Sequence, residues 1–178
     1  GFAVGSFDAS KGSDTITMFT DLTPEYYFIG HRSGIKNLTG IHNSFVGYEA
    51  GMNNKSGRKN VFLGYHAGLN NDTASYNVFI GNEAGNSNTF GRYNTIIGYQ
   101  AGYTNNANYN TFLGFQSGLS NLTGSYNVFL GYQAGLNSTN TYNNTSIGYQ
   151  AGISTIDNLG TKVQGSSNVF IGDQAGKY

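Results

Sequence analysis

Nine glycines set the frame of this chain. Gly30, Gly47, Gly64, Gly81, Gly98, Gly114 and Gly131 fall 17, 17, 17, 17, 16 and 17 residues apart, and the pattern returns at Gly148 after 17 and at Gly172 after 24. Each closes much the same phrase: Asn, any residue, Phe, an aliphatic, Gly, then usually Tyr-Gln-Ala-Gly. A short period held this tightly, with strand-forming residues around each Gly, is the signature of an all-β solenoid whose coils stack on one another. Such an array spreads one surface over equivalent coils instead of converging groups on one cleft, which weighs against an enzyme.

Counted from each Gly as position 0, position −1 is aliphatic throughout: Ile29, Val46, Leu63, Ile80, Ile97, Leu113, Leu130, Ile147 and Ile171. Position −2 holds Phe28, Phe45, Phe62, Phe79, Phe112, Phe129 and Phe170, with Ile96 and Ser146 as departures. Position −4 is Asn43, Asn60, Asn77, Asn94, Asn110, Asn127, Asn144 and Asn168. Alternation along a strand sends positions −1 and −2 to opposite faces. Both are apolar, so both faces need cover. One reading fills the solenoid interior with the aliphatic column and the mostly apolar position +5 (Ile35, Met52, Leu69), and makes the Phe column a self-association surface, most simply in a homotrimeric fibre. The alternative is a sharper bend at the Gly that turns Phe inward too. The Asn column is expected to form a ladder of coil-to-coil amide bonds.

Turn chemistry supplies the rest. Ala-Gly pairs such as Ala50-Gly51 mark one corner, and Asn-Leu-Thr-Gly at 37–40 and 121–124 marks another. This predicts two short strands and two corners per coil. Helix is excluded by at least two glycines per coil and the lack of a 3.6-residue period. Residues 1–27 read as an atypical first coil (Phe2-Ala3-Val4-Gly5) and a lead-in with strand-like Thr15 to Phe19; 28–152 as the regular solenoid; 153–178 as an insertion loop and last coil. About ten coils at ~4.8 Å per strand make a rod of about 45–50 Å.

Composition narrows the function classes. Nine Lys+Arg balance nine Asp+Glu in 178 residues, so nothing here would neutralise a run of phosphates, and no nucleic-acid partner is expected. No apolar run approaches the roughly 18 residues of a spanning helix, and no membrane insertion is expected. Low charge with abundant Asn, Gly, Ser, Thr and Tyr suits an extracellular fibre surface. The start without Met or a signal peptide reads as a piece of a longer secreted chain.

No catalytic, metal or cofactor constellation emerges. His31, His42 and His66 lack ligand spacing, and Glu49 and Glu83 share a column otherwise filled by Gln100, Gln116, Gln133, Gln150 and Gln174, which reads as an outside Gln/Glu ladder. Nucleophile elbows, phosphate loops and dinucleotide fingerprints are missing; the glycines are coil corners. Seven Asn-x-Ser/Thr triplets begin at Asn37, Asn54, Asn71, Asn121, Asn137, Asn143 and Asn144, and most recur because the corner needs them rather than as glycan acceptors. Two aromatic columns are the candidate ligand-facing surface: Tyr48, Tyr65, Tyr99, Phe115, Tyr132 and Tyr149 at position +1, and Tyr76, Tyr93, Tyr109 and Tyr126 at position −5. Stacked, they would brace neighbouring coils; half exposed, they would offer flat faces to surface glycans or proteins.

The phrase Asn-x-Phe-Ile-Gly-Tyr-Gln-Ala-Gly, with the opening Gly1-Phe2-Ala3-Val4-Gly5 and the lead-in Leu22 to Gly30, resembles repeat regions of large secreted, adhesin-like or tail-fibre-like surface proteins of Bacteroidota-like bacteria. More distantly, aliphatic-Gly-x-x-Ala is similar to the head repeats of trimeric autotransporter adhesins, which form left-handed β-rolls in a trimer. These resemblances imply a structural and adhesive segment of an extracellular bacterial surface fibre, self-associating as a trimer or end to end. Alternatives are a bacteriophage tail-fibre shaft for host recognition and a carbohydrate-binding solenoid. An ice-binding face is disfavoured because position −3 mixes Ser44, Val61, Val78, Thr95, Thr111, Val128, Thr145 and Val169.

Overall fold

The computed structural model describes residues 2–3, 20–153 and 165–177. Its elements are all strands: β1 (Phe2–Ala3), β2 (Thr20–Leu22), β3 (Tyr26–Ile29), β4 (Asn43–Val46), β5 (Val61–Leu63), β6 (Val78–Ile80), β7 (Thr95–Ile97), β8 (Thr111–Leu113), β9 (Val128–Leu130), β10 (Thr145–Ile147) and β11 (Val169–Ile171). They form one sheet in chain order. From β3 to β11 every neighbouring pair is parallel and in register by one period, so Phe45 lies beside Phe62 and Ile80 beside Ile97. The chain is a β-solenoid, with seven turns of 16 or 17 residues between Gly30 and Gly148 and a longer turn to Gly172.

The first strand departs from the expected extra coil. β1 pairs antiparallel with β2, and β2 antiparallel with β3, so the opening residues add antiparallel strands and the parallel stack begins at Tyr26. The strand-like Thr15 to Phe19, Val4-Gly5 and the insertion around 156–160 lie outside the described residues.

A second correction concerns which face is inside. Phe45, Phe62, Phe79, Phe112 and Phe129 are completely buried and Phe28 nearly so, whereas Ile29, Leu63 and Leu113 are 44–45% exposed. The Phe column is therefore the core of the coil and unavailable for self-association; in β11 Phe170 is only half-buried. The apolar members of position +5 stay half-buried or, at Ile35, exposed, and the small Ala at +3 (Ala50, Ala67, Ala84, Ala101) takes the interior place opposite the ring. The reason is parity. Positions −4 and −2 share a strand face, and the Asn at −4 must point inward to reach a carbonyl across the coil. Phe follows it in.

Flat rings suit the coil rise. Phe28, Phe45, Phe62 and Phe79 stack face to face with centroids 4.8, 4.6 and 4.9 Å apart, close to the ~4.8 Å spacing of paired strands. Ile96 interrupts the stack, and Phe112 and Phe129 resume it at 5.0 Å. Each coil is thus about one ring thick, with a single strand rather than two. Successive turns replace the second strand yet still bond axially, as in Gly51 N–H to the Ala67 carbonyl at 2.9 Å and Asn53 N–H to Leu69 at 3.0 Å.

Two Asn ladders take up the interior polarity. The Asn60 backbone N–H donates to Asn43 Oδ1 at 3.0 Å, its Nδ2 to the same oxygen at 3.2 Å and to the Ala74 carbonyl across the coil at 2.9 Å; its own Oδ1 accepts from the Asn77 N–H at 3.0 Å. A second ladder, at position +7, runs through Asn37, Asn54 and Asn71, with amide-to-amide bonds of 2.7 and 2.6 Å. Asn54 Nδ2 also donates to the Gly57 carbonyl, which Asn43 reaches from the other side. The position −4 column thus forms the coil-to-coil ladder expected of it, on the inside. Asn60→Ala should cost about 2–3 kcal/mol, because it leaves the buried Asn77 N–H without its acceptor and takes one of two donors from the Ala74 carbonyl, which Asn71 Nδ2 still reaches at 3.1 Å. The shift in urea midpoint, compared with Asp72→Ala, measures it. Asp72 only pairs with exposed Lys55 at 3.1 Å, and its loss should cost under ~1 kcal/mol.

Candidate functional surface

Both aromatic columns face solvent, and both stack. Tyr76, Tyr93, Tyr109 and Tyr126 have centroids 4.9, 5.0 and 4.9 Å apart and planes within 11° of parallel. At position +1, Tyr99, Phe115, Tyr132 and Tyr149 stack at 5.2, 5.0 and 5.2 Å. His31, Tyr48 and Tyr65 form a separate stack at 5.0 and 5.5 Å, with the His66 ring 3.7 Å from Tyr65, and exposed Asn82 occupies the row between Tyr65 and Tyr99. Within each stack the ring faces lie against neighbouring rings, which leaves edges and hydroxyls for the solvent. A sugar seeking a flat aromatic face meets one only at the ends of a stack, and one such end, Tyr76, has Lys59 Nζ 5.2 Å from its centroid.

The −5 column is held in an uncommon backbone. Tyr76, Tyr93, Tyr109 and Tyr126 have φ of 63, 59, 59 and 61°. Left-handed conformations cost a non-glycine residue roughly 1–2 kcal/mol, and axial bonds such as Tyr76 N–H to the Arg58 carbonyl at 3.0 Å hold them there. This conformation recurs at +2, where Glu49, Glu83, Gln100 and Gln116 have φ of 50–56°.

The +2 column forms the outside ladder. Gln100 Nε2 donates to Glu83 Oε2 at 2.7 Å, Gln116 to Gln100 at 3.0 Å, Gln133 to Gln116 at 2.9 Å and Gln150 to Gln133 at 2.8 Å. Nearer the N-terminus Glu49 is bound on both sides, to Arg32 at 2.8 Å and to His66 Nε2 at 3.1 Å, an ion pair when the imidazole is protonated. Both carboxylates of this column are thus engaged with neighbouring rungs, which is poor preparation for acid–base work. Among the described residues no three His, Cys, Asp or Glu side chains stand close enough to hold a metal ion. Asn54, Asn71 and Asn121 of the Asn-x-Ser/Thr triplets are fully buried, their amides spent inside the coil. A glycan cannot reach them in the folded chain.

The surface that sequence reasoning missed lies on the sheet. Each three-residue strand turns its middle residue inward and its flanking residues, positions −3 and −1, outward. The signal was present: position −3 varies among Ser, Val and Thr from coil to coil, while Asn at −4 scarcely changes. Comparison with protein-family models, curated proteins and solved structures finds no match to this chain.

Proposed function

We propose that this chain is a rod segment of an extracellular bacterial surface fibre, serving to extend and to adhere rather than to catalyse. The observation that carries this reading is the equivalence of its coils. Phe on Phe, Asn on Asn, Gln on Gln and Tyr on Tyr repeat along the axis, so the coils are mechanically alike and present the same groups. Tyr edges and amides repeated every ~4.8 Å suit many weak contacts that add through avidity rather than one deep site. Axial main-chain bonds on both the sheet and the turn walls stiffen the rod.

Antibody to this segment should label intact producing cells, and protease added outside should remove the label. Beads coated with the segment should adhere to surfaces that the cells colonise, and free segment should compete. Labelling only after permeabilisation would contradict the extracellular placement. Labelling of virions instead of cells would move the same rod to a tail fibre.

A further inference from the structure

We propose that the outward face of the sheet is the seat of a second copy of this chain, packed face to face with the two rods parallel. This rests on the fibre reading for its setting but not for its geometry. The face consists of the −3 and −1 columns, and no charged residue occurs in either from β3 to β11. Its side chains reach solvent: Val61, Leu63 and Leu113 are 42–45% exposed, and Val78, Ile80 and Leu130 are half-buried. β2 continues it, since Thr20 pairs with Ile29 and Leu22 with Tyr27.

Size argues for a full interface. Ten strands at ~4.8 Å give a face about 43 Å long, and the −3 and −1 columns together with the −5 and +1 columns that border them, at ~3.3 Å per residue, span about 20 Å. That is on the order of 850 Å² per partner, within what a stable protein pair buries. The −3 and −1 columns run as an uncharged strip along the centre of this face, and the bordering −5 and +1 columns add aromatic rings on many rungs and polar or charged groups such as Glu25, Lys59, Asn82 and Asp173 on others.

Periodicity argues for the occupant. Only a surface repeating every ~4.8 Å can interlock with each row in turn, and another copy of this chain has that repeat by construction. A two-fold axis along the rod sets the bulky −1 column (Leu63, Ile80, Leu113) against the smaller −3 column (Val61, Val78, Thr111) of the other copy, large against small. The central columns carry no charge, and the same axis sets Glu25, Lys59 and Asp173 of the bordering columns against His31, Tyr65 and Ser167, so no like charges meet.

The test is the mass in solution by light scattering or sedimentation from about 1 to 200 μM. The wild-type chain should be a dimer that Leu63→Lys/Leu113→Lys converts to monomer, with far-UV dichroism and melting retained. Leu38→Lys/Leu122→Lys, the same change on exposed leucines of another column, should leave the dimer intact. A wild-type chain that is monomeric throughout overturns the proposal whatever the variants do, as does an oligomer that survives the Leu63/Leu113 change. Monomers that show thermal hysteresis, lost in that variant, would overturn it in favour of ordered water on the same face. Dimerisation does not depend on where cells place the protein, so this result and the surface-labelling result stand or fall separately.

Discussion

Phe79→Ala should lower the stability of the array by about 4 kcal/mol, the cost of removing a fully buried ring from a core that cannot collapse around the loss. Phe79 stacks on Phe62 at 4.9 Å, pairs in register with Ile96 and sits over Gly85 in its own coil. The interior at that level is little more than this ring, Ala84 and the Asn pair, so nothing nearby can move in. For a chain of this length such a loss should lower the melting temperature by roughly 10–15 °C. Phe79→Asp should go further and break the stack, because an ionised carboxylate would be buried without a partner. Both effects concern folding of the coil. Variants that melt like wild type and change only the oligomeric mass would place the ring outside.

Gly81→Ala should be comparably damaging for a different reason. Gly81 has φ of +129°, and an added Cβ would lie 2.5 Å from the Gly98 carbonyl oxygen of the next coil. Gly172 has nearly the same backbone, φ +123°, but nothing within 4 Å of that Cβ position. Gly172→Ala therefore reports the conformational cost alone, about 1–3 kcal/mol. Gly81→Ala should exceed it by about 2 kcal/mol or more, the cost of forcing packed atoms apart. Chemical denaturation of the two variants side by side separates the terms. Equal losses would mean that the glycines are retained for backbone conformation and not for close stacking.

Much of the architecture was legible because the chain repeats itself. The 17-residue period sets the strand register, the glycines mark the corners, and the Asn column forecasts its own ladder. Facing was harder. Phe and Ile look equally suited to an interior, and hydrophobicity cannot rank them; the hydrogen-bonding needs of Asn60 or Asn77 can, since their amides must meet carbonyls inside the coil. Reading Phe79 from its neighbour Asn77, two residues away and on the same face, turns it inward. Two corners per coil predict a second strand between them, but around Leu69 and Leu119 the N–H groups bond three residues back, to His66 and Gln116, alternating with axial bonds such as Asn70 N–H to the Asn86 carbonyl. The stacking of the Tyr columns was foreseeable from their period. That stacking would cover the ring faces and expose the edges follows only from the ~5 Å centroid spacing.

The stacking of successive periods is tested most directly by paired spin labels, which the absence of native cysteine makes clean. Thr95 and Thr111 are register partners on adjacent strands of the outward face. Labels on cysteines placed there should give strong dipolar broadening in the continuous-wave spectrum when diluted with unlabelled chain. Labels at Thr95 and Val169, four strands apart in the sheet and so about 19 Å from each other, should give little. Narrow lines from the Thr95/Thr111 pair in folded protein would contradict the one-period coil on which the account is built.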